Sequence, residues 1–416
     1  MVFWVARGTY PYRPEKKTIK KSHFIDQLSY LYQTKEVTSN FVLPDFKKIR
    51  SSELRNKIMY SEREINGFNQ TNIQSYHPPL YYLFASSFFR LADSLHLNLI
   101  DHIYFVRLFS GLLYFGSVFF AYKILELFFR DKDVSRNVLL FFSLNPEVLK
   151  MGIAINHDMQ VVFFSLLFLY FFLFFHKKIS FTHIILLGII SAGATLSKFS
   201  GVFTAVTFAG YQIIQTKLNG KMLKNILFFG TTIFVFMLPW FAFNYQRYKT
   251  PMIQNIVLGQ EKPLQPHSMI SSFALAAGEF RHTFMHYAGF LGWNETYIFK
   301  WFFLIYAGIF ALLSFMGFYR CFKKKSSIHR ILVLYTSSLF LFLFVFGFYE
   351  KRVGVSWDIQ GRYLLPAFLP LVVFMTTALS SFIKHHMKKA SVLMSMFSLF
   401  HYYLILFFVL IPKYYV

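Results

Sequence analysis

Residues 159–178 read MQVVFFSLLFLYFFLFFHKK. A nearly unbroken apolar run from Met159 to Phe175 stops abruptly at His176, Lys177 and Lys178. At about 1.5 Å per helical residue, such a run approaches the ~30 Å thickness of a bilayer's hydrocarbon core. Similar runs recur along the chain, and the sequence predicts ten spans, at 103–129, 134–155, 159–175, 181–197, 199–216, 225–243, 299–319, 331–349, 363–383 and 391–411. Of the 416 residues 55% are hydrophobic and 57 are Phe, too apolar a composition for a soluble chain of this length. A membrane β-barrel would need alternating segments of about ten residues, and none is visible. The expected fold class is therefore all-α, a polytopic helical membrane protein.

The net charge of +24 raises the question of a nucleic-acid partner. The positions of the charges answer it. FRDKD (129–133), HKK (176–178), KLNGKMLK (217–224), RCFKKKSSIHR (320–330) and KHHMKK (384–389) all fall on one side of a ten-span layout. Lys and Arg concentrate in cytoplasmic loops, so that side is assigned to the cytoplasm, and no nucleic-acid partner is expected. Cys321 is the single cysteine, which rules out an internal disulfide.

The opposite, outer side carries the long segments 7–102, 245–298 and 350–362. Within the first, 78–95 is short for a span and contains Arg90 and Asp93. It reads as an amphipathic helix on the outer surface, opened by Pro78 and Pro79, since a first turn does not use the missing N–H. The apolar MVFWVA at the N-terminus is too short to cross, so a preceding span that is missing or cut short is expected. No repeat or linker divides the chain. One membrane domain is expected over 1–416: a first outer loop (7–102), a helical core (103–244), a second outer loop (245–298) and the C-terminal helices (299–416).

The residues with chemistry are the ionisable ones at outer span ends. Arg107 lies near the start of the first span, Asn156, His157 and Asp158 at a tight outer turn, and Lys198 at the next outer turn. Asp358, Arg362 and Tyr363 lie at the mouth of the ninth span. Charges at such depths are costly and commonly line a functional cavity. Blander readings stand beside this one. Each cation could snorkel to the headgroups, Asp358 and Arg362 could pair only with each other, Asn156–Asp158 could be a solvated turn, and His77 a helix cap. Taken together, three cations, a carboxylate and two histidines beside Trp293 and Tyr363, aromatics that favour sugar rings or prenyl chains, suit a phosphorylated lipid substrate. There is no P-loop, dinucleotide fingerprint or HExxH, and no GxSxG. NQT (69–71) and NET (294–296) fit glycosylation sequons, which are weak matches.

SYHPPLYYLF (75–84), FVRLFSG (105–111), INHDM (155–159), ATLSKFSG (194–201), GFLGWNE (289–295) and QGRYLLPAFLPL (360–371) occur in that order. Together they resemble the GT-C superfamily of polytopic glycosyltransferases, and most of all its bacterial members with HPPLYY and QGRYxxP motifs, the DUF2142 family. The resemblance implies transfer of a sugar from a polyprenyl-phosphate donor to a glycan, lipid or protein acceptor outside the cell membrane. It implies that Arg362 binds the donor phosphate, supported by Arg107 and Lys198. His77 and Tyr81 would shape the mouth, and Asn156, His157, Trp293 and Tyr363 would join the substrate site. A divalent metal stays open. Relatives carry an acidic pair before an HF dipeptide in the first outer loop. Here TIKKS (18–22) precedes His23-Phe24, which leaves Asp26 or Asp158 as the catalytic carboxylate. The alternatives are a non-catalytic binder of lipid-linked glycan and a lipid or glycan flippase.

Overall fold

The computed structural model describes residues 77–97, 99–215, 219–248, 268–287, 300–352, 361–383 and 386–407, with the backbone of 19–21 and 65–68. Asp26, Trp293 and Asp358 lie outside the described residues, as do the His23-Phe24 dipeptide and both sequons.

The described chain is helical apart from one short antiparallel pairing of Ile19–Lys21 with Ile65–Phe68. In chain order the helices are α1 (Leu80–Ser94), α2 (Leu99–Phe128), α3 (Lys132–Ser143), α4 (Pro146–Ile153), α5 (Asp158–Phe175), α6 (Phe181–Ser197), α7 (Phe203–Gln215), α8 (Gly220–Tyr248), α9 (Met269–Tyr287), α10 (Lys300–Lys323), α11 (Ser327–Arg352), α12 (Leu365–Phe382) and α13 (Met387–Ile405). Single 3₁₀ turns, Phe199–Val202 and Gly361–Leu364, precede α7 and α12. Among the described residues, six helical stretches are long and apolar enough to cross a membrane: Asp101–Phe128, Asp158–Phe175, Gly220–Gln246, Ile305–Lys323, Ser327–Tyr349 and Gly361–Phe382.

The segment expected to form an amphipathic helix is helical, as α1. Pro79 occupies its N-cap, and its carbonyl takes the first helical bond, from Leu83 N–H, at 2.9 Å. Tyr81, Tyr82, Ala85, Phe89 and Ala92 are buried while Leu83, Phe84 and Leu91 are half exposed, a two-faced helix that packs on α2.

The expected span 134–155 is corrected. It is two helices, because Asn145-Pro146 interrupts it. Pro146 lacks the N–H needed to continue α3 but suits a first helical turn. Asn145 then caps α4, its Oδ1 accepting from the N–H groups of Glu147 (3.0 Å) and Val148 (3.3 Å). This break places Glu147 at the start of a short helix and not within a span.

The centre of the bundle is the α12 span, Gly361–Phe382, most of which is buried, whereas Gly220–Gln246 of α8 is mostly unburied and turns apolar side chains outward. Phe141 (α3), Phe310 (α10) and Phe368 (α12) stack with centroids 5.8–6.4 Å apart. Helices α10 and α12 approach so closely at Gly317 that any side-chain carbon there would collide with the Phe374 carbonyl. A polar seam ties α13 to α3, Asn137 Nδ2 donating to Ser391 Oγ at 3.2 Å and Ser395 Oγ to the Asn137 carbonyl at 3.0 Å. Interhelical hydrogen bonds of this kind fix neighbours where lipid gives no hydrophobic drive to associate.

Candidate active site

The site is built where α5 begins, α6 ends and the turn before α12 arrives. Helices α5 and α6 are consecutive and packed together, so the start of one lies beside the end of the other. Asp158 is the first residue of α5, and its N–H is taken by Asn156 Oδ1 at 3.1 Å. Lys198 is the residue after α6, in extended conformation. A carboxylate at a helix N-terminus and an ammonium at a C-terminus both complement the helix dipoles. The 3₁₀ turn after Lys198 folds back tightly: a side chain at Gly201 would collide with the Ala194 carbonyl group.

Lys198 Nζ donates to Asp158 Oδ1 at 2.6 Å, and Arg362 Nε, from the turn before α12, stands 3.2 Å from Asp158 Oδ2. Asp158 and Lys198 are almost wholly buried, while the Arg362 side chain remains 32% exposed. Lys198 Nζ also lies 3.6 Å from the centroid of the Tyr363 ring, close enough for a strong cation–π contact. One carboxylate thus holds two cations, one sealed over an aromatic ring and one with its side chain partly open.

The α1 end supplies the wall. The His77 and His157 rings meet at 4.1 Å between centroids, and Tyr82 Oη lies 3.2 Å from His157 Nδ1. His157 Nε2 is 3.8 Å from Asp158 Oδ1. Tyr81 Oη and Ser110 Oγ of α2 share a hydrogen bond at 3.0 Å. Burial pushes the His77 imidazole well below its ordinary value of 6.5, with His157 and then Lys198 pushing the same way and Asp158 opposing. His77 is a neutral ring in this setting.

Seven expected residues therefore come together: His77, Tyr81, His157, Asp158, Lys198, Arg362 and Tyr363, with Asn156 holding the turn. Arg107 does not join them. Its guanidinium carbon lies 5.6 Å from the Tyr104 ring centroid, and among the described residues its buried Nε has no hydrogen bond. Ser110, one turn further along α2, is the residue facing Tyr81. Three participants escaped the sequence reading. Tyr82 and Ser110 lie inside quoted motifs, and Glu147 lies in NPEVLK, where an Asn-Pro cap signal marked a helix start. Glu147 is 3% exposed and pairs with Lys150 Nζ at 2.6 Å, and its charge reaches Arg362 and Asp158. Among the described residues no three or more His, Cys, Asp or Glu side chains stand together as a metal site would require.

Stacked helices with a buried charge cluster gathered at their ends define an integral membrane protein with a polar site at one end of the bundle. Residues 43–372 match the family described as predicted membrane protein (DUF2142), and the chain belongs to that family. No curated protein sequence matches it. Solved structures with some likeness include an oligosaccharyltransferase of Archaeoglobus fulgidus in complex with Zn and sulfate, at 15% identity and a TM-score of 0.49, covering 79% of this chain and 44% of that one. ArnT of Cupriavidus metallidurans bound to undecaprenyl phosphate shows 16% identity and a TM-score of 0.43, covering 73% of this chain and 50% of that one. The Archaeoglobus AglB bound to an inhibitory peptide and a dolichol-phosphate shows 16% identity and a TM-score of 0.44, covering 82% and 47%. The chain spans about half the length of these structures, and at such scores the likeness carries no argument about the site.

Proposed function

We propose that this protein is an integral membrane glycosyltransferase that takes a sugar from a polyprenyl-phosphate donor and passes it to a cell-envelope acceptor on the outer face. The observation that carries the reading is the Asp158 cluster: a buried carboxylate bracing Lys198 and Arg362, with the Arg362 side chain partly exposed. A guanidinium is a planar fork suited to phosphate oxygens. Bracing it from behind fixes its orientation before the ligand arrives.

In this reading Arg362 binds the donor phosphate, and Lys198 adds positive charge behind it. As the bond from sugar to phosphate oxygen breaks, negative charge grows on the departing lipid phosphate, and preset cations stabilise that charge most. The neutral His77, with Tyr81 and His157, walls the cavity where donor and acceptor meet. Asp158 acts as the brace. Trp293 belongs to the same reading through the family resemblance alone, and Asp26 of the first outer loop is the carboxylate that the resemblance offers as an alternative proton acceptor. The single-domain layout and the outward orientation are likewise part of the proposal, resting on the one-sided Lys/Arg distribution. So is the donor class, which rests on the family resemblance and on the cations gathered at Asp158.

A flippase would place its polar site near the middle of interrupted helices. Here Asp158, Lys198 and Arg362 stand at helix ends, which favours transfer at a membrane face. The test is mass spectrometry of envelope glycans from cells with and without the gene. Loss of a defined sugar modification, restored by the wild-type gene and not by Arg362→Ala, is expected. An unchanged glycan profile contradicts the proposal.

A further inference from the structure

Glycosyl transfer needs a group to take the acceptor's proton, and the described part of the site has two carboxylates from which to choose. Asp158 is badly placed for the task. Its Oδ1 receives Lys198 at 2.6 Å and its Oδ2 faces Arg362 at 3.2 Å. Protonating it would strand two cations in a buried setting, a severe penalty. Glu147 is arranged differently. Its one ion pair among the described residues is Oε2 with Lys150 at 2.6 Å, where Asp158 faces two cations. Lys150 is the more exposed partner, at 28% of its side chain, so water shares its charge if Glu147 becomes neutral.

Position supports the same assignment. Met151 lies four residues after Glu147 in α4, and both are on the buried face of that helix. The Met151 sulfur is touched by Asn156 Nδ2 at 3.7 Å, and Asn156 in turn caps Asp158. Glu147 therefore lies on the helix face that abuts the turn carrying Asp158. Helix α4 also packs against α9, which in turn packs against the turn bearing Arg362. His77 is a poor alternative, since burial and the adjacent His157, Lys198 and Arg362 all oppose a proton on it.

We infer, resting on the glycosyltransferase reading, that Glu147 is the proton acceptor of the transfer, and that Asp158 is a brace only. The acceptor hydroxyl gives its proton to Glu147 Oε1, and its oxygen bonds to the sugar's anomeric carbon. The bond from that carbon to the donor phosphate oxygen breaks, and the electron pair leaves with the lipid phosphate, held by Arg362. The proton on Glu147 returns to solvent when products depart.

The experiment compares wild type, Glu147→Gln and Glu147→Asp by two readouts. One is affinity of the purified protein for undecaprenyl phosphate. The other is restoration of the envelope glycan in a strain lacking the gene. Glu147→Gln keeps affinity within about threefold of wild type and restores less than about a hundredth of the glycan, in line with loss of a general base. Glu147→Asp, a carboxylate one carbon shorter, restores a measurable part. Wild-type restoration by Glu147→Gln overturns the inference, as does parallel loss of binding and restoration, which would make the residue structural. If wild type itself neither binds the lipid phosphate nor restores a glycan, the glycosyltransferase reading falls instead.

Discussion

Lys198 and Asp158, forty residues apart in sequence, are joined by a 2.6 Å hydrogen bond that connects the end of one helix to the start of another. Both side chains are nearly inaccessible to solvent. A buried pair of this kind adds little net stability as a pair, but breaking one side leaves an uncompensated charge. Asp158→Asn should therefore cost about 3–5 kcal/mol, measured as loss of resistance to denaturation in detergent. Lys198→Met added to Asp158→Asn should recover part of that loss. Additive losses in the double variant would show that the pair is not coupled.

His77 gives the fold a pH dependence with a definite sign. Its folded value lies below the ordinary 6.5 that it regains on unfolding. The unfolded chain thus binds more protons as pH falls, so this contribution is full above pH 6.5 and is lost progressively below it. For one histidine the slope reaches at most about 1.4 kcal/mol per pH unit. Thermal unfolding scanned from neutral to mildly acidic pH should show this slope, and His77→Gln should flatten it. An identical slope in the variant would remove His77 as its source.

The cluster was legible in part because charge stood out against apolar surroundings. Asp158, Lys198 and Arg362 could be selected because each interrupts the pattern at a span end. Their pairing could not be read, since it depends on how α5, α6 and α12 pack. Helical phase separates two residues of α2: Ser110 faces Tyr81, while Arg107, three positions earlier, lies beside Tyr104. Glu147 was missed for a different reason. The run 134–155 was read as a continuous span, and the Asn145-Pro146 cap within it was given no weight. Asp358, four residues from Arg362, lies outside the described residues, and among those described the carboxylate beside Arg362 is Asp158.

Orientation is testable with single cysteines in a Cys321→Ala background. Ser326 lies in the basic connection between α10 and α11, and Ser271 lies near the start of α9. With Lys and Arg retained in the cytoplasm, Ser271→Cys should react with an impermeant thiol reagent in intact cells. Ser326→Cys should react only after permeabilisation. The opposite pattern would invert the topology and place the site in the cytoplasm.

The central claim is that Arg362, braced by Asp158, receives a lipid phosphate. The most direct measurement is binding of undecaprenyl phosphate to the purified protein, set against the uncharged alcohol undecaprenol, for wild type and Arg362→Lys. The account predicts that wild type prefers the phosphate by at least about tenfold, and that Arg362→Lys loses most of that preference while still binding the alcohol, because a point charge does not replace a planar fork. Equal affinity of wild type for phosphate and alcohol, or an undiminished preference in Arg362→Lys, would contradict it.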